Sequence, residues 1–207
     1  MSQSNEPLKI AVFASGSGSN FQALAEAIKR EDIHASIELV VCDKPSAYVL
    51  ERANQLNIAT YVFKPKEYAS REHYEQEIVN KLLADGIDLI VLAGYMRIIT
   101  NVLVEPFYGR MINIHPALLP SFPGLDGVGQ ALDYGAKLTG ATVHFVDGGT
   151  DTGPIIAQQV VEIREDDTKE TLAHRIQQVE HILLPKVVRM ISEGKVTLSG
   201  RKVRVAQ

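Results

Sequence analysis

The sequence predicts an α/β fold: an open, mostly parallel, twisted sheet with helices on both faces and antiparallel strands toward the C-terminal end. Three observations predict it. The chain has 207 residues, 45% hydrophobic and 22% charged, a globular composition with enough length for one substantial core. As far as residue 114, short apolar runs rich in β-formers alternate with stretches of helical periodicity, which implies parallel strands joined by right-handed crossovers. Beyond that point two strand-like runs follow one another across a loop too short for a helical crossover, so they can pair antiparallel.

After a polar tail over residues 1–7, Leu8 to Ala14 is a continuous apolar run, too short for a helix and ended by the turn-forming SGSGSN (15–20). Phe21, Leu24, Ala25 and Ile28 then fall at i, i+3, i+4 and i+7, one face of a helix for which Asn20 is the expected N-cap. The alternation continues with strand 37–42, helix 47–56, strand 59–63, a charged helix 70–84, and strands 89–94 and 111–114. Strands 140–147 and 154–163 come next. Asp167 or Thr168 caps a long helix whose Leu172, Ile176, Val179, Leu183, Val187 and Met190 recur at spacings of four and three, with Pro185 expected to kink it. A short basic hairpin, VTLSGRKVRV, closes the chain. No repeat or long linker divides it, so a single domain over 1–207 is expected.

Composition excludes several classes. Fifteen Gly and nine Pro are ordinary frequencies, against collagen-like or low-complexity chains. A net charge of −4 gives no overall electrostatic footprint for nucleic acid or an anionic membrane. The lone Cys42 cannot form an intramolecular disulfide, and neither a signal peptide nor a transmembrane run is present, so a cytoplasmic protein is expected. The basic residues Lys195, Arg201, Lys202 and Arg204 read as charges that protect an edge strand rather than as an RNA-binding patch.

The chemistry concentrates in three places. The first is the glycine turn after the first strand: Gly16, Gly18, the hydroxyls of Ser15, Ser17 and Ser19, and the free N–H groups of the following helix suit a phosphate. Phe21 stands where a dinucleotide fingerprint has its third glycine, and no G-K-[ST] follows, so neither that fingerprint nor a Walker loop is complete; Asp43, 25 residues after Gly18, is placed to imitate a ribose-binding acid. The plainer reading is a turn that only reverses the chain. The second is INIHPALLPSFPG (112–124), where Asn113 and His115 alternate on a strand and project the same way at its carboxyl end. The third is DGGTDTGPI (147–155), a turn-rich loop carrying Asp147 and Asp151. A carboxylate opposite His115 would orient the imidazole, and the Asn113 amide would donate to a developing oxyanion. No G-x-S-x-G and no metal-ligand spacing accompany them, so direct transfer between two bound substrates is expected, without a metal. His144, on an alternating strand, is the alternative histidine.

SGSGSN (15–20), AGYMRII (93–99), INIHPALLPSFPG (112–124), GATVHFVDGGTDTGPII (140–156) and QQVEH (177–181) occur in this order over nearly the whole chain, and in this they resemble the phosphoribosylglycinamide formyltransferases, folate-dependent enzymes of purine biosynthesis with a Rossmann-like formyltransferase fold. The resemblance implies Asn113, His115 and Asp151 as catalytic residues. It implies that Gly18, Ser19 and Asn20 hold the phosphate of glycinamide ribonucleotide, with Glu180 on the ribose and Gln177 nearby. For 10-formyltetrahydrofolate, the formyl donor, it implies Met96, Arg97, Ile98, Ile99, Asn113 and the loop Asp147, Gly148, Gly149, Thr150 and Asp151, with Arg71 on the same side. Where some relatives carry a His-rich stretch, this chain has LDGVGQ (125–130), so no helper histidine is expected there. The Pro- and Gly-bearing segment 118–129 reads as a mobile lid. The rival readings are a formyltetrahydrofolate hydrolase, a formyltransferase with another acceptor such as aminoacyl-tRNA, and a non-catalytic nucleotide-binding module.

Overall fold

The first apolar run forms strand β1 (Leu8–Phe13), and Ile10, Ala11, Val12 and Phe13 within it are wholly shielded from solvent. The computed structural model describes residues 6–206, so most of the expected polar tail lies outside the described residues. The chain divides into two compact units, one ending at Met111 and the other beginning at Ile112.

In the first unit, β1 is followed by α1 (Ser19–Lys29), β2 (Ala35–Cys42), α2 (Tyr48–Gln55), β3 (Ala59–Val62), α3 (Arg71–Ala84), β4 (Leu89–Leu92) and the one-turn α4 (Asn101–Val104). The strand order is β3-β2-β1-β4 with every pairing parallel. The chain runs outward from β1 to β3 and then returns to the other side of β1. That reversal opens a crevice beyond the carboxyl ends of β1 and β4, where the glycine turn and residues 93–97 emerge. The two segments are stitched together: Ser15 N–H donates to the Gly94 carbonyl at 3.0 Å, and the Met96 N–H donates to Ser15 Oγ at 2.9 Å.

Helix α1 starts at Ser19, and its N-cap is Gly18 rather than the expected Asn20. The reason is steric as well as conformational. Gly18 has φ +72°, and a Cβ there would lie 2.5 Å from Val49 Cγ2 and 3.0 Å from the Val49 Cα of α2. The turn is thus packed beneath α2, whose Val49 N–H donates to the Gly16 carbonyl and whose Arg52 Nε donates to that of Ser17. In α3 the buried face includes a carboxylate, Glu75, which accepts from the backbone N–H and hydroxyl of Thr100 and so fastens the start of α4. Burial pushes the Glu75 carboxyl up, against the pull of those bonds.

The second unit contains β5 (Met111–His115), α5 (Gly127–Tyr134), β6 (Leu138–Phe145), β7 (Ile155–Glu162), α6 (Lys169–Ser192) and the hairpin β8 (Val196–Ser199) and β9 (Lys202–Val205). The order β5-β6-β7 is antiparallel throughout. The α/β class, with parallel strands first and antiparallel strands toward the C-terminal end, is the one the sequence predicts. Thr168 caps α6 through a reciprocal pair of bonds with Thr171, and the helix runs through Pro185 with Leu172, Ile176, Leu183 and Val187 buried. Helix α5 is not anticipated by periodicity, because it opens on Gly127 and Gly129, both poor helix formers. It shortens the expected 118–129 loop to 118–126, and Asp126 caps it by accepting from Gly129 N–H.

The contact between Gly18 and Val49 makes a direct prediction. Gly18→Ala, which meets both the left-handed φ and the α2 backbone, should lower unfolding free energy by about 1–3 kcal/mol in denaturant titration. Gly16→Ala, with nothing within 4 Å of the added carbon, serves as the control.

Candidate active site

The site in the second unit is built on β5. Ile112 and Ile114 are buried in the core, and the alternation sends Asn113 and His115 to the opposite face. The antiparallel register then chooses their neighbours: Asn113 lies directly opposite His144, and His115 opposite Thr142. Thr142 ties down the chain that leaves β5, its hydroxyl donating to the Ala117 carbonyl at 2.6 Å and accepting from Leu119 N–H. Gln158 on β7 reinforces this by donating to the Leu119 carbonyl.

Asp151 completes the constellation from the loop between β6 and β7. It sits in the left-handed region at φ +53°. Its Oδ1 accepts from Asn113 Nδ2 at 3.2 Å and its Oδ2 from Gly124 N–H at 2.7 Å. His115 Nδ1 lies 3.4 Å from Oδ2, and His144 Nε2 lies 3.6 Å from Oδ1. Burial pushes the Asp151 carboxyl up, but the His144 side chain, the Gly124 N–H and the His115 imidazole outweigh it and hold the carboxyl below the usual aspartate range.

Carbonyl oxygens assign the ring hydrogens. His115 Nε2 is 2.8 Å from the Phe122 carbonyl, which can only accept, so Nε2 carries a hydrogen and Nδ1 is the nitrogen turned toward Asp151. His144 Nδ1 is likewise 2.8 Å from the Phe145 carbonyl and carries a hydrogen, while Nε2 faces both Asn113 Nδ2 at 3.2 Å and Asp151 Oδ1, accepting from the amide when the ring is neutral and donating to the carboxylate when it is protonated. The Asn113 amide is therefore oriented from two sides, by His144 and by Asp151. His144 is thus a partner of Asn113, a role its cross-strand register supplies. Gly127 leaves room for this arrangement, since a Cβ there would stand 3.2 Å from His115 Nε2 and 3.1 Å from the Phe122 carbonyl.

The remaining residues expected in the 147–151 loop divide by role. Asp147 Oδ1 accepts from Gly149 N–H and from the Thr152 hydroxyl, so this side chain shapes the loop from within. Gly148, Gly149 and Thr150 are exposed. Arg201, in the turn between β8 and β9, donates to the Thr152 carbonyl at 2.9 Å; one of the basic C-terminal residues thereby braces the loop that carries Asp151, beyond the edge-protecting role read from sequence. Gln177 and Glu180 are one turn apart on α6, with Glu180 buried. Among the described residues, no group of three or more His, Cys, Asp or Glu is arranged to hold a metal ion, and no helix is long and apolar enough to cross a membrane.

In the first unit, Gly18, Ser19 and Asn20 form the N-terminal end of α1, an eleven-residue helix whose leading N–H groups and dipole favour an anion. The Ser15 hydroxyl accepts from the Met96 N–H and the Ser17 carbonyl from Arg52 Nε, and these bonds shape the turn. Beyond β4, Met96 and Ile98 are apolar side chains exposed by 58% and 62%, and Ile99 is half-buried. Arg97 between them is bound by Asp43 at 2.6 Å, so Asp43 is an arginine partner and not the ribose-binding acid that its spacing suggested. Arg71 opens α3 on the exposed surface. Burial raises the Tyr74 hydroxyl, against the charges of Arg71 and Arg97.

A strand pair thus offers an amide and an imidazole to one loop aspartate, an arrangement of hydrogen-bond donors around a carboxylate that suits carbonyl chemistry. The chain belongs to the formyl transferase family, whose sequence pattern matches residues 8–188. The phosphoribosylglycinamide formyltransferase of Bacillus subtilis is 51% identical over 183 residues, 88% of this chain and 94% of that protein. The crystal structure of glycinamide ribonucleotide transformylase 1 from Symbiobacterium toebii superposes with a TM-score of 0.96 at 40% identity, covering 99% of this chain and 96% of that one. A formyltetrahydrofolate deformylase from Pseudomonas syringae shares the fold at TM-score 0.91 but is 27% identical, and this chain covers 67% of it.

The depressed Asp151 carboxyl fixes the sign of a pH effect. A folded-state pKa below the ordinary 3.8 means that the stabilisation is complete above that value and fades as pH falls through the lower folded-state value. Asp151→Asn should therefore be less stable than the parent at pH 7, and the difference in unfolding free energy should narrow below about pH 4.

Proposed function

We infer that this chain transfers the formyl group of 10-formyltetrahydrofolate to the amine of glycinamide ribonucleotide, a step of purine biosynthesis, in the cytoplasm. The observation that carries the reading is the Asn113–His115–Asp151 cluster, in which one carboxylate meets both the amide and the imidazole. The donor sets suit both substrates. A phosphate fits the helix N-terminus at Gly18, Ser19 and Asn20, and the Gln177 and Glu180 pair offers polar groups for ribose hydroxyls. Exposed Met96 and Ile98 beside Arg97 suit a flat ring system that bears carboxylates, and the resemblance adds Arg71 to this set.

The ribonucleotide amine attacks the formyl carbon, and the carbonyl electron pair moves onto oxygen. His115 acts in its protonated form: Nε2–H stays on the Phe122 carbonyl and Nδ1–H, the second ring hydrogen, donates to that oxyanion. Asn113 joins it by exchanging its long bond to Asp151 for one to the oxyanion while His144 keeps the amide oriented. Asp151, freed of that bond, takes up the proton lost by the amine, directly or through water. Collapse of the intermediate breaks the bond from formyl carbon to N10, and N10 receives the proton that Asp151 took from the amine, which restores the carboxylate. The products are the formylated ribonucleotide and tetrahydrofolate. The segment 118–126 delivers both Phe122 and Gly124 to the catalytic groups, in keeping with a lid that orders the site when closed.

Two measurements test this. Loss of one oxyanion donor typically costs about 10²–10³ in turnover, so Asn113→Ala should fall by that order with glycinamide ribonucleotide affinity little changed. Turnover within tenfold of the parent would remove Asn113 from its role. In parallel, formyl transfer from 10-formyltetrahydrofolate should require glycinamide ribonucleotide. Equal consumption with water alone or with aminoacyl-tRNA would favour a hydrolase or another acceptor.

A further inference from the structure

At the carboxyl end of β2, the side chain of Asp43 is entirely inaccessible to solvent. A buried carboxylate is costly unless charge and hydrogen bonds satisfy it. Asp43 has one strong partner: Oδ2 accepts from Arg97 Nε at 2.6 Å, while buried Oδ1 accepts no hydrogen bond from the described residues. The arginine side chain is 40% exposed. Arginine often grips a carboxylate through two parallel N–H groups. Here the grip is through Nε alone, and the two terminal amino groups make no hydrogen bond to the described residues. An arginine that only neutralised Asp43 would be better served by two bonds. One that must also receive an external anion needs its terminal fork unengaged.

The surroundings fix the rest of this side chain. The Met96 N–H is bound to Ser15 Oγ, so the backbone that carries Arg97 is tied to the end of β1. Tyr95, on the other side of that residue, packs edge-on against Phe13 with ring centroids 5.3 Å apart. With the backbone pinned and Nε held, the guanidinium plane is set before any ligand arrives, and most of the entropy of ordering a long side chain is already spent.

We propose that Asp43 is a positioning residue for the formyl donor: its buried carboxylate holds Arg97 so that the terminal amino groups meet a carboxylate of the folate glutamate tail. This rests on the reading that residues 96–99 face the donor. It adds that the Asp43–Arg97 pair, and not Arg97 alone, sets the preference for a carboxylate-bearing donor.

The test is calorimetric binding of 5-formyltetrahydrofolate, a stable isomer of the donor, and of its pteroate counterpart as the simple amide, which lacks the glutamate and carries no carboxylate. Asp43→Asn keeps the shape and one acceptor oxygen but removes the charge. It should weaken binding of the folate roughly tenfold, the size expected for loss of a charge-assisted bond, and leave pteroate binding within twofold. Arg97→Ala should weaken folate binding to a similar or greater extent, and the double variant should match Arg97→Ala, because Asp43 acts only through Arg97. Thermal unfolding separates this from a structural role. Arg97→Ala strands a buried carboxylate and should lower Tm, and adding Asp43→Asn should recover Tm without recovering affinity. A lower Tm for Asp43→Asn with unchanged folate affinity would overturn the proposal, as would equal losses for folate and pteroate, or additive losses in the double variant. Failure of the parent chain to formylate glycinamide ribonucleotide would count against the functional reading and leave these binding comparisons intact.

Discussion

The second unit's site depends on one charge: the carboxylate of Asp151. Each of its oxygens has an assigned neighbour, Asn113 and His144 on one side, Gly124 and His115 on the other. Protonation would set a hydroxyl against at least one N–H donor, which is why the surroundings hold the carboxyl low despite its burial. Its backbone is also committed, since a non-glycine residue at φ +53° costs free energy that the surrounding contacts must offset. Those contacts come from within the loop, through Asp147 and Thr152, and from outside it, through Arg201.

A second constraint is tautomeric. An imidazole can serve as a directed donor only if its hydrogens are assigned before substrate arrives. Backbone carbonyls do this for both histidines, and they do it from different places. Phe145 belongs to β6 itself, so the His144 arrangement is part of the sheet. Phe122 belongs to the segment between β5 and α5, so the His115 arrangement exists only when that segment is in place. Asp126 links the segment to the start of α6 through Lys169, but that pair is exposed and worth little, so the bonds from Thr142, Gln158 and Asp151 are what hold it. The histidine that would meet the oxyanion is thus the one whose orientation is conditional.

What the sequence made legible follows the range of each interaction. Apolar runs and periodicity are local, so the alternation of strands and helices, and the shared face of Asn113 and His115, could be read directly. The partnership of Asn113 with His144 depends on the register between β5 and β6, which joins residues 31 apart and leaves no local trace. The same is true of Ser15 with Met96, of Asp43 with Arg97 and of Arg201 with Thr152. Asp43 is instructive because spacing from the glycine turn suggested a ribose contact, while burial and a cationic neighbour gave it another occupation. Helix α5 was hidden by its glycines, which local propensity counts against a helix and which the packing around His115 requires at position 127. The resemblance to formyltransferases supplied the assignments that distance hides from a single sequence, Asp151 over Asp147 above all.

Under the proposed function a chain of net charge −4 has to receive two anionic substrates, and the first unit offers a means for each. A phosphate spreads its charge over several oxygens and accepts from any direction, so a fan of backbone N–H groups at a helix start suffices. A fixed backbone also adds no flexible cation to the surface. A carboxylate is planar and directional, and is best met by a guanidinium whose plane is already set. Setting that plane requires a fixed acceptor, and burying Asp43 supplies one at the cost of another negative charge. The acidic balance is therefore compatible with anion binding, because at least one of its carboxylates aims the arginine that the anion would meet.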